Sequence, residues 1–371
     1  MRRMENPATD FLFRATAHRF GDGESARELA RSAERLNEPA LARDLLRNAS
    51  YHELEPLLHA VVVDCMRSGH DPGLPQDLLD AWEEASARES ARTAVIQFGA
   101  AKALKALEEA GIGAIPLKGF YLAARCYERK SARGFRDLDL LVREEDLGGL
   151  HRSLLDAGFQ PAPERPSFVP APACTVYSLP LAESGMAMEI DIHVGMHWPA
   201  EYERRTSFRA SDIWDEAVAE RVEGMAFLAM RPEHLVITTL LDVAVNHRYA
   251  RLVKFRDVIE TLRSRDLDWN KLVEDTRRWG VRSFVAPGLL YLCRMDPSCP
   301  VPSGVVDSLL PSYAFMRAFL RALPAEALPS HRSRSFSPAN LLFFLLADDR
   351  RERYRGLAYI PKHLLKGLHR F

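Results

Sequence analysis

One stretch of this chain limits what it can fold into more than any other. In FRDLDLLV, residues 135–142, two aspartates alternate with apolar residues inside a run that otherwise reads as a strand. Successive side chains of a strand point to opposite faces, so Asp137 and Asp139 share one face while Leu138, Leu140 and Val142 share the other. Asp is depleted in strands, and two like charges about 4 Å apart repel by roughly 4 kcal/mol at an effective dielectric near 20. A cation, a proton held between the two, or full solvent exposure must compensate.

A second segment, Met188 to Trp198 (MEIDIHVGMHW), alternates in the same way. It sets Glu189, Asp191 and His193 on one face and Ile190, Ile192 and Val194 on the other. If the two strands are neighbours, a third carboxylate joins the pair. Carboxylates converging from adjacent strands make a hard oxygen-ligand site suited to Mg²⁺, whose usual partners are a few carboxylates, waters and substrate phosphates. The chemistry this suggests is phosphoryl or nucleotidyl transfer.

The rest of the chain supports a folded scaffold for such a site. Its 371 residues can bury a sizeable core in one large unit or two to three smaller ones. With 47% hydrophobic and 27% charged residues the composition is globular, and a net charge of -1 gives no global attraction to nucleic acid or anionic membrane. Long nucleic acid is therefore disfavoured as a partner, since such binding rests on releasing counterions from many phosphates. Five scattered cysteines without a C-x-x-C pair indicate neither a disulfide framework nor a zinc knuckle. No signal-peptide core and no run of 18 apolar residues occurs, so a cytoplasmic, non-membrane protein is expected.

From Ser25 to about Ala110 the texture is helical, giving three or four helices of which the last, Gln76 to Ala110, is long. Short apolar runs then alternate with amphipathic ones. Strands are expected at Ile112–Leu117 and Asp137–Val142, and helices at Phe120–Arg129 and Glu144–Ala157. Beyond a proline-rich loop (Pro161 to Pro172), Thr175–Leu179 and Met186–Val194 read as an antiparallel pair joined at Ala182 to Gly185. Helical texture returns after Arg231, in segments Glu233–His247, Phe255–Arg263, Trp269–Trp279 and Arg282–Met295, with Asp268 as an N-cap. The tail from His331 to Phe371 carries nine Lys and Arg against three Asp and Glu, and reads as a helix with a solvated basic face. The expected class is α+β: a small mixed sheet with helices on one face, flanked by a helical N-terminal region (1–95) and a helical C-terminal region (201–371), with the sheet in 96–200.

Lys118-Gly119 falls between a strand and a helix, where free backbone N–H groups and the helix dipole favour an anion and Lys adds a point charge. Arg133 and Arg136 lie just before the acidic strand and could hold phosphate oxygens bidentately, or form loop-borne ion pairs. Asn246 and His247, late in a helix, are candidates for the acceptor side of a cleft or for a helix end. Asp191, His193 and His197 could alternatively make a mixed nitrogen-oxygen site for zinc or iron, the mark of a metal-dependent hydrolase.

The ordered set Lys118-Gly119, Arg133, Asp137-Leu138-Asp139-Leu140-Leu141-Val142 and Glu189-Ile190-Asp191-Ile192-His193 resembles an uncharacterised family of bacterial nucleotidyltransferases within the polymerase-β-like superfamily. The resemblance continues in Leu241 to His247 and Lys254 to Asp257, and so covers roughly residues 90 to 300. It implies a nucleotidyltransferase palm that uses two Mg²⁺ ions, with Mn²⁺ as the alternative, to move a nucleoside monophosphate from an NTP such as ATP to an acceptor. By position Asp137 and Asp139 match the metal-binding pair, and Asp191 the third carboxylate, which in the superfamily helps activate the acceptor hydroxyl. The chain departs from the superfamily at the phosphate-binding turn, where Lys118-Gly119-Phe120 replaces a Gly-Ser or Gly-Gly pair, and in the longer interval from Gly119 to Asp137. Glu189 and His193 are secondary candidates on the face of Asp191. The sequence leaves the acceptor open among small molecule, natural product, sugar phosphate, peptide, protein and RNA. The competing class is a nucleotide-binding regulatory protein without catalysis.

Overall fold

A computed structural model describes residues 6–162, 175–180, 187–196, 206–247 and 249–310 of the chain. The proline-rich loop after Ala162, the turn 182–185, His197 and the basic tail lie outside the described residues.

The N-terminal part is helical, as its texture predicts, in α1 (Pro7–Ala17), α2 (Gly23–Ala33), α3 (Pro39–Tyr51), α4 (Glu55–Arg67) and the 34-residue α5 (Gln76–Glu109). Helix α1 precedes the first helix expected from the pattern. Its start is set by the side chain of Asn6, which accepts from the backbone N–H of Thr9. Then come β1 (Ala114–Pro116), α6 (Lys118–Arg125), β2 (Leu138–Val142), α7 (Leu147–Asp156), β3 (Gln160–Pro161), β4 (Thr175–Pro180) and β5 (Ala187–His193). The strands form one mixed sheet in the order β1-β2-β5-β4-β3, in which β2 and β5 run parallel and the other pairs antiparallel. Non-consecutive β2 and β5 are therefore neighbours, which the acidic-site argument requires.

The alternation of the two central strands divides the sheet into an apolar and an acidic face. Leu138, Leu140, Met188, Ile190 and Ile192 are fully buried on the apolar face. Helix α5 covers it closely, because a Cβ at Gly99 would stand 2.8 Å from the sulfur of Met188. The expected boundary at residue 95 thus falls inside one continuous helix, whose first half packs on α4 and whose second half packs on the sheet.

Beyond the sheet lie α8 (Ala210–Trp214), the hairpin β6 (Val218–Val222) and β7 (Met225–Ala229), and then α9 (Pro232–Val245), α10 (Leu252–Ser264), α11 (Trp269–Arg278), α12 (Arg282–Met295) and α13 (Ser303–Leu309). The helical region expected over 201–371 thus also carries a short hairpin, ahead of the helical texture read from Arg231. Glu223 (φ +53) and Gly224 (φ +84) make a turn with two positive φ values, the kind that matches strand twist, and Met225, Phe227 and Ala229 alternate inward. Asp268 caps α11 as expected, accepting from the N–H groups of Asn270 and Lys271.

The terminal helical groups are joined through two arginines, one buried and one half-buried. Arg256 of α10 donates to the carbonyls of Thr16 and His18 at 2.9 and 2.7 Å, and Arg263 to those of Ala17 and His18 at 2.7 and 3.0 Å. These carbonyls end α1 and have no partner within the helix, so two cations from 240 residues away complete it.

Candidate active site

Parallel pairing of β2 with β5 aligns Asp139 with Asp191 and Leu141 with His193. One oxygen of Asp139, one of Asp191 and a ring nitrogen of His193 all lie within 4.8 Å of one another. Asp137 stands one residue before β2, on the face of Asp139, as the period-two pattern predicts.

The cluster carries more negative charge than its surroundings solvate. Burial and the neighbouring carboxylates of Asp139 and Asp191 push Asp137 up to about 6. Burial, Asp139 and Glu189 likewise raise Asp191. Asp139 goes the other way. Burial opposes its ionisation, but a 2.7 Å hydrogen bond with His193 Nε2 and the ammonium of Lys118 at 3.3 Å bring it down to about 2. Asp139 is thus the fixed charge of the site and Asp137 the one that gives way. A carboxylate set that suppresses its own ionisation fits a divalent cation. Asp137, Asp139 and Asp191 could hold Mg²⁺ or Mn²⁺, whereas inclusion of His193 suits softer metals.

Lys118 begins α6 with φ +52, a left-handed conformation that costs an L residue about 1–2 kcal/mol. Such strain persists where surrounding structure enforces it, commonly at functional sites. Here the enforcing contact is next door: a Cβ on Gly119 would stand 2.8 Å from the Cβ of Phe135, so glycine is needed for the turn to lie against that residue. Burial alone would lower the Lys118 ammonium, but Asp139, Asp242 and Asp137 raise it and keep it charged.

Lys118 and His193 also form one side of a cleft that is partly open to solvent. Its opposite wall is Thr238, Thr239, Asp242 and Asn246 of α9 and Lys254 of α10, and Leu117, Leu122, Met230 and Leu235 give it apolar surface. Asp242 accepts from Asn246 Nδ2 at 2.8 Å and lies 3.1 Å from Lys254 Nζ and 3.5 Å from His247 Nε2. Burial opposes its charge, yet Lys254 and His247 hold it well below the usual carboxylate range. Asn246 and His247 thus meet at the cleft wall, through Asp242.

The two arginines separate. Arg133 is buried, and its guanidinium binds Asp257 through Nε at 2.7 Å and Nη2 at 3.0 Å, with Nη1 donating to the carbonyl of Gly134. Its fork is spent inside the protein. Arg136 is exposed, one residue before Asp137. Glu189 is half-buried on β5, two residues before Asp191.

Sequence reasoning gave no role to Asp242, Lys254 or Asp257. A signal was present: α9 is buried on every side, and Asp242 is an acid in the middle of its apolar run LVITTLLDVAV.

A family model described as uncharacterised nucleotidyltransferase matches residues 38–295, well over half of the chain. The chain belongs to this uncharacterised nucleotidyltransferase family. The match starts at the N-cap of α3 and ends with the last residue of α12, so the family unit includes N-terminal helices that the resemblance over 90–300 left out. No curated protein matches the chain. Among solved structures, an antigenic nucleotidyltransferase-like protein from Paracoccidioides brasiliensis is similar over 59% of this chain and 92% of its own, at 12% identity and a TM-score of 0.36. That score is too low to add to the assignment of this nucleotidyltransferase family member. Among the described residues no helix is long and apolar enough to cross a membrane.

Proposed function

We propose that this family member moves a nucleoside monophosphate from an Mg²⁺-bound NTP to an acceptor nucleophile at the cleft beside Asp139, releasing pyrophosphate. The observation that carries this reading is the lateral alignment of Asp139 with Asp191 on parallel strands, with Asp137 pushed up to about 6 beside them. Bound there, divalent metal would activate the attacking oxygen and stabilise the leaving one in an in-line displacement.

The chain's own residues have separable tasks. Asp137, Asp139 and Asp191 supply the oxygen ligands. His193 orients Asp139 through its 2.7 Å hydrogen bond. Asp191, raised by burial and by its neighbours, would take the proton of an acceptor hydroxyl. Lys118, charged and at the cleft edge, turns from Asp139 to the incoming phosphates. The apolar surface of Leu122, Met230 and Leu235 admits a small molecule, a natural product or a side chain of a peptide or protein as acceptor.

Calorimetric titration of each NTP into metal-free and Mg²⁺-loaded protein, with Asp139→Asn as control, tests the donor half. One NTP that binds only with Mg²⁺, and not to the variant, is the expected outcome; binding of none would remove the reading. A second reading has one observation behind it, the convergence of Asp139, Asp191 and His193 ligand atoms within 4.8 Å, which would suit zinc and hydrolysis. Bound zinc in elemental analysis together with absence of NTP binding would favour it.

A further inference from the structure

We infer that Lys254 binds the phosphates of the donor nucleotide and of the released pyrophosphate, and that Asp242 is its positioning residue; this rests on the nucleotidyl-transfer reading above.

A triphosphate needs cationic partners near the metal carboxylates, and of the two arginines before β2 one is already engaged. Arg133 is committed to Asp257 and Arg136 is exposed. Lys254 instead lines the same cleft as Lys118, from the opposite wall. Its ammonium has three donors, and among the described residues its ion-pair partner is Asp242, at 3.1 Å. The side chains of both partners are only 11% exposed. A buried ion pair rarely stabilises a fold more than apolar residues of similar volume would, and α9 is buried from Glu233 to Val245. Its placement at a cleft wall instead of in the core points to a ligand.

The electrostatics agree with the geometry. The charge of Lys254 acts on Asp137, and that of Lys118 acts on Asp242. Two ammonium groups therefore flank the space between the acidic cluster and α9. Phosphate oxygens placed there would meet a point charge on each side while their metal-bound oxygens face the carboxylates. Asn246 and His247, which also contact Asp242, fix the carboxylate and through it the lysine.

The test is calorimetric titration of inorganic pyrophosphate with Mg²⁺ into the full chain. Lys254→Met should weaken binding about tenfold or more, the loss expected for one charge-assisted contact, and Lys254→Arg should retain most of it. Because Lys254→Met strands Asp242, the double variant Asp242→Asn/Lys254→Met serves as the folded control. It should recover the melting temperature and stay as weak as the single variant. Unchanged affinity in Lys254→Met, or recovered affinity in the double variant, would mean that Lys254 only neutralises Asp242, and the inference falls. Asp139→Asn separates this from the larger reading. Wild-type binding that is lost in Asp139→Asn but kept in Lys254→Met removes the inference alone, whereas wild-type protein that binds no pyrophosphate removes both.

Discussion

Arg133 and Asp257, 124 residues apart, meet in a two-pronged ion pair of 2.7 and 3.0 Å that ties the segment entering β2 to α10. Tyr127 adds a 2.8 Å hydrogen bond to the same carboxylate, and Asp257 is fully buried. The pair fixes the distance between the acidic strand and the cleft wall that carries Lys254. Removing one partner of such a pair leaves an uncompensated buried charge, so Arg133→Ala should cost about 3–5 kcal/mol in urea denaturation. Arg133→Lys should restore little, because an ammonium cannot reproduce the fork. A loss below about 1 kcal/mol would show that the pair does not hold these elements together.

Asp137→Asn should abolish nucleotidyl transfer yet leave the metal-free protein as stable as wild type, or more stable by on the order of 1 kcal/mol, since it removes like-charge repulsion. The Asp137 carboxyl, pushed to about 6 by burial and by Asp139 and Asp191, identifies that repulsion. Thermal melts with and without Mg²⁺ check both halves: the ion should raise the wild-type midpoint and do so less in the variant. A variant with full turnover would refute the ligand assignment.

Gly119→Ala should destabilise by about 1–3 kcal/mol, the usual effect of overpacking a tight contact. The added Cβ would stand 2.8 Å from the Cβ of Phe135, a contact no side-chain rotation can relieve. Because Lys118 is held at φ +52 by the same turn, the variant should also lose NTP affinity. Differential scanning calorimetry and NTP titration read the two effects separately, and an unchanged melting temperature would refute the packing argument.

His18 should take stability away as pH drops below about 6.5, against the opposite effect of Asp137, which burial and its carboxylate neighbours hold at about 6 in the metal-free protein. Burial lowers His18 below the usual histidine value of 6.5 despite its 3.0 Å contact with Asp64. A depressed folded-state pKa means the unfolded chain takes up the proton first, so the contribution is complete above 6.5 and is lost on acidification. His234, lowered mainly by burial, acts in the same direction. In Asp64, hydrogen bonds from His18 and Gly21 overcome burial and lower the pKa, so its own contribution is present above 3.8 and lost below it. In melts between pH 7.5 and 5 the wild-type midpoint should fall relative to that of His18→Gln, and equal slopes would exclude His18.

Much of the architecture was legible because it rests on periodicity. Residues 76–109 repeat at helical spacing over many turns, and Leu138, Leu140, Ile190 and Ile192 alternate, so helix and strand followed with errors of a few residues at the ends. The β6–β7 hairpin was missed because Glu223-Gly224 is a weaker turn signal than Asn-Gly and its strands are short. Helix α1 was missed because its apolar residues are interrupted by Asp10 and Arg14, which pair with each other at 2.9 Å.

Within the site, period-two alternation by itself determined that Asp137 and Asp139 share a face, and that Asp191 shares one with Glu189 and His193, because the direction of a strand side chain is a local property of the backbone. Which strands are neighbours is not local. Only the tertiary structure decided that β2 and β5 pair in parallel and bring Asp139 beside Asp191, across an intervening helix and two strands. It also decided the fate of the cations. Arg133 stands two residues before Phe135-Arg136-Asp137 and Lys254 just before Phe255-Arg256-Asp257, yet one is locked on Asp257 and the other faces the cleft beside Asp242. Partners of a charged side chain are chosen by packing between elements distant in the chain, and no spacing rule encodes that choice.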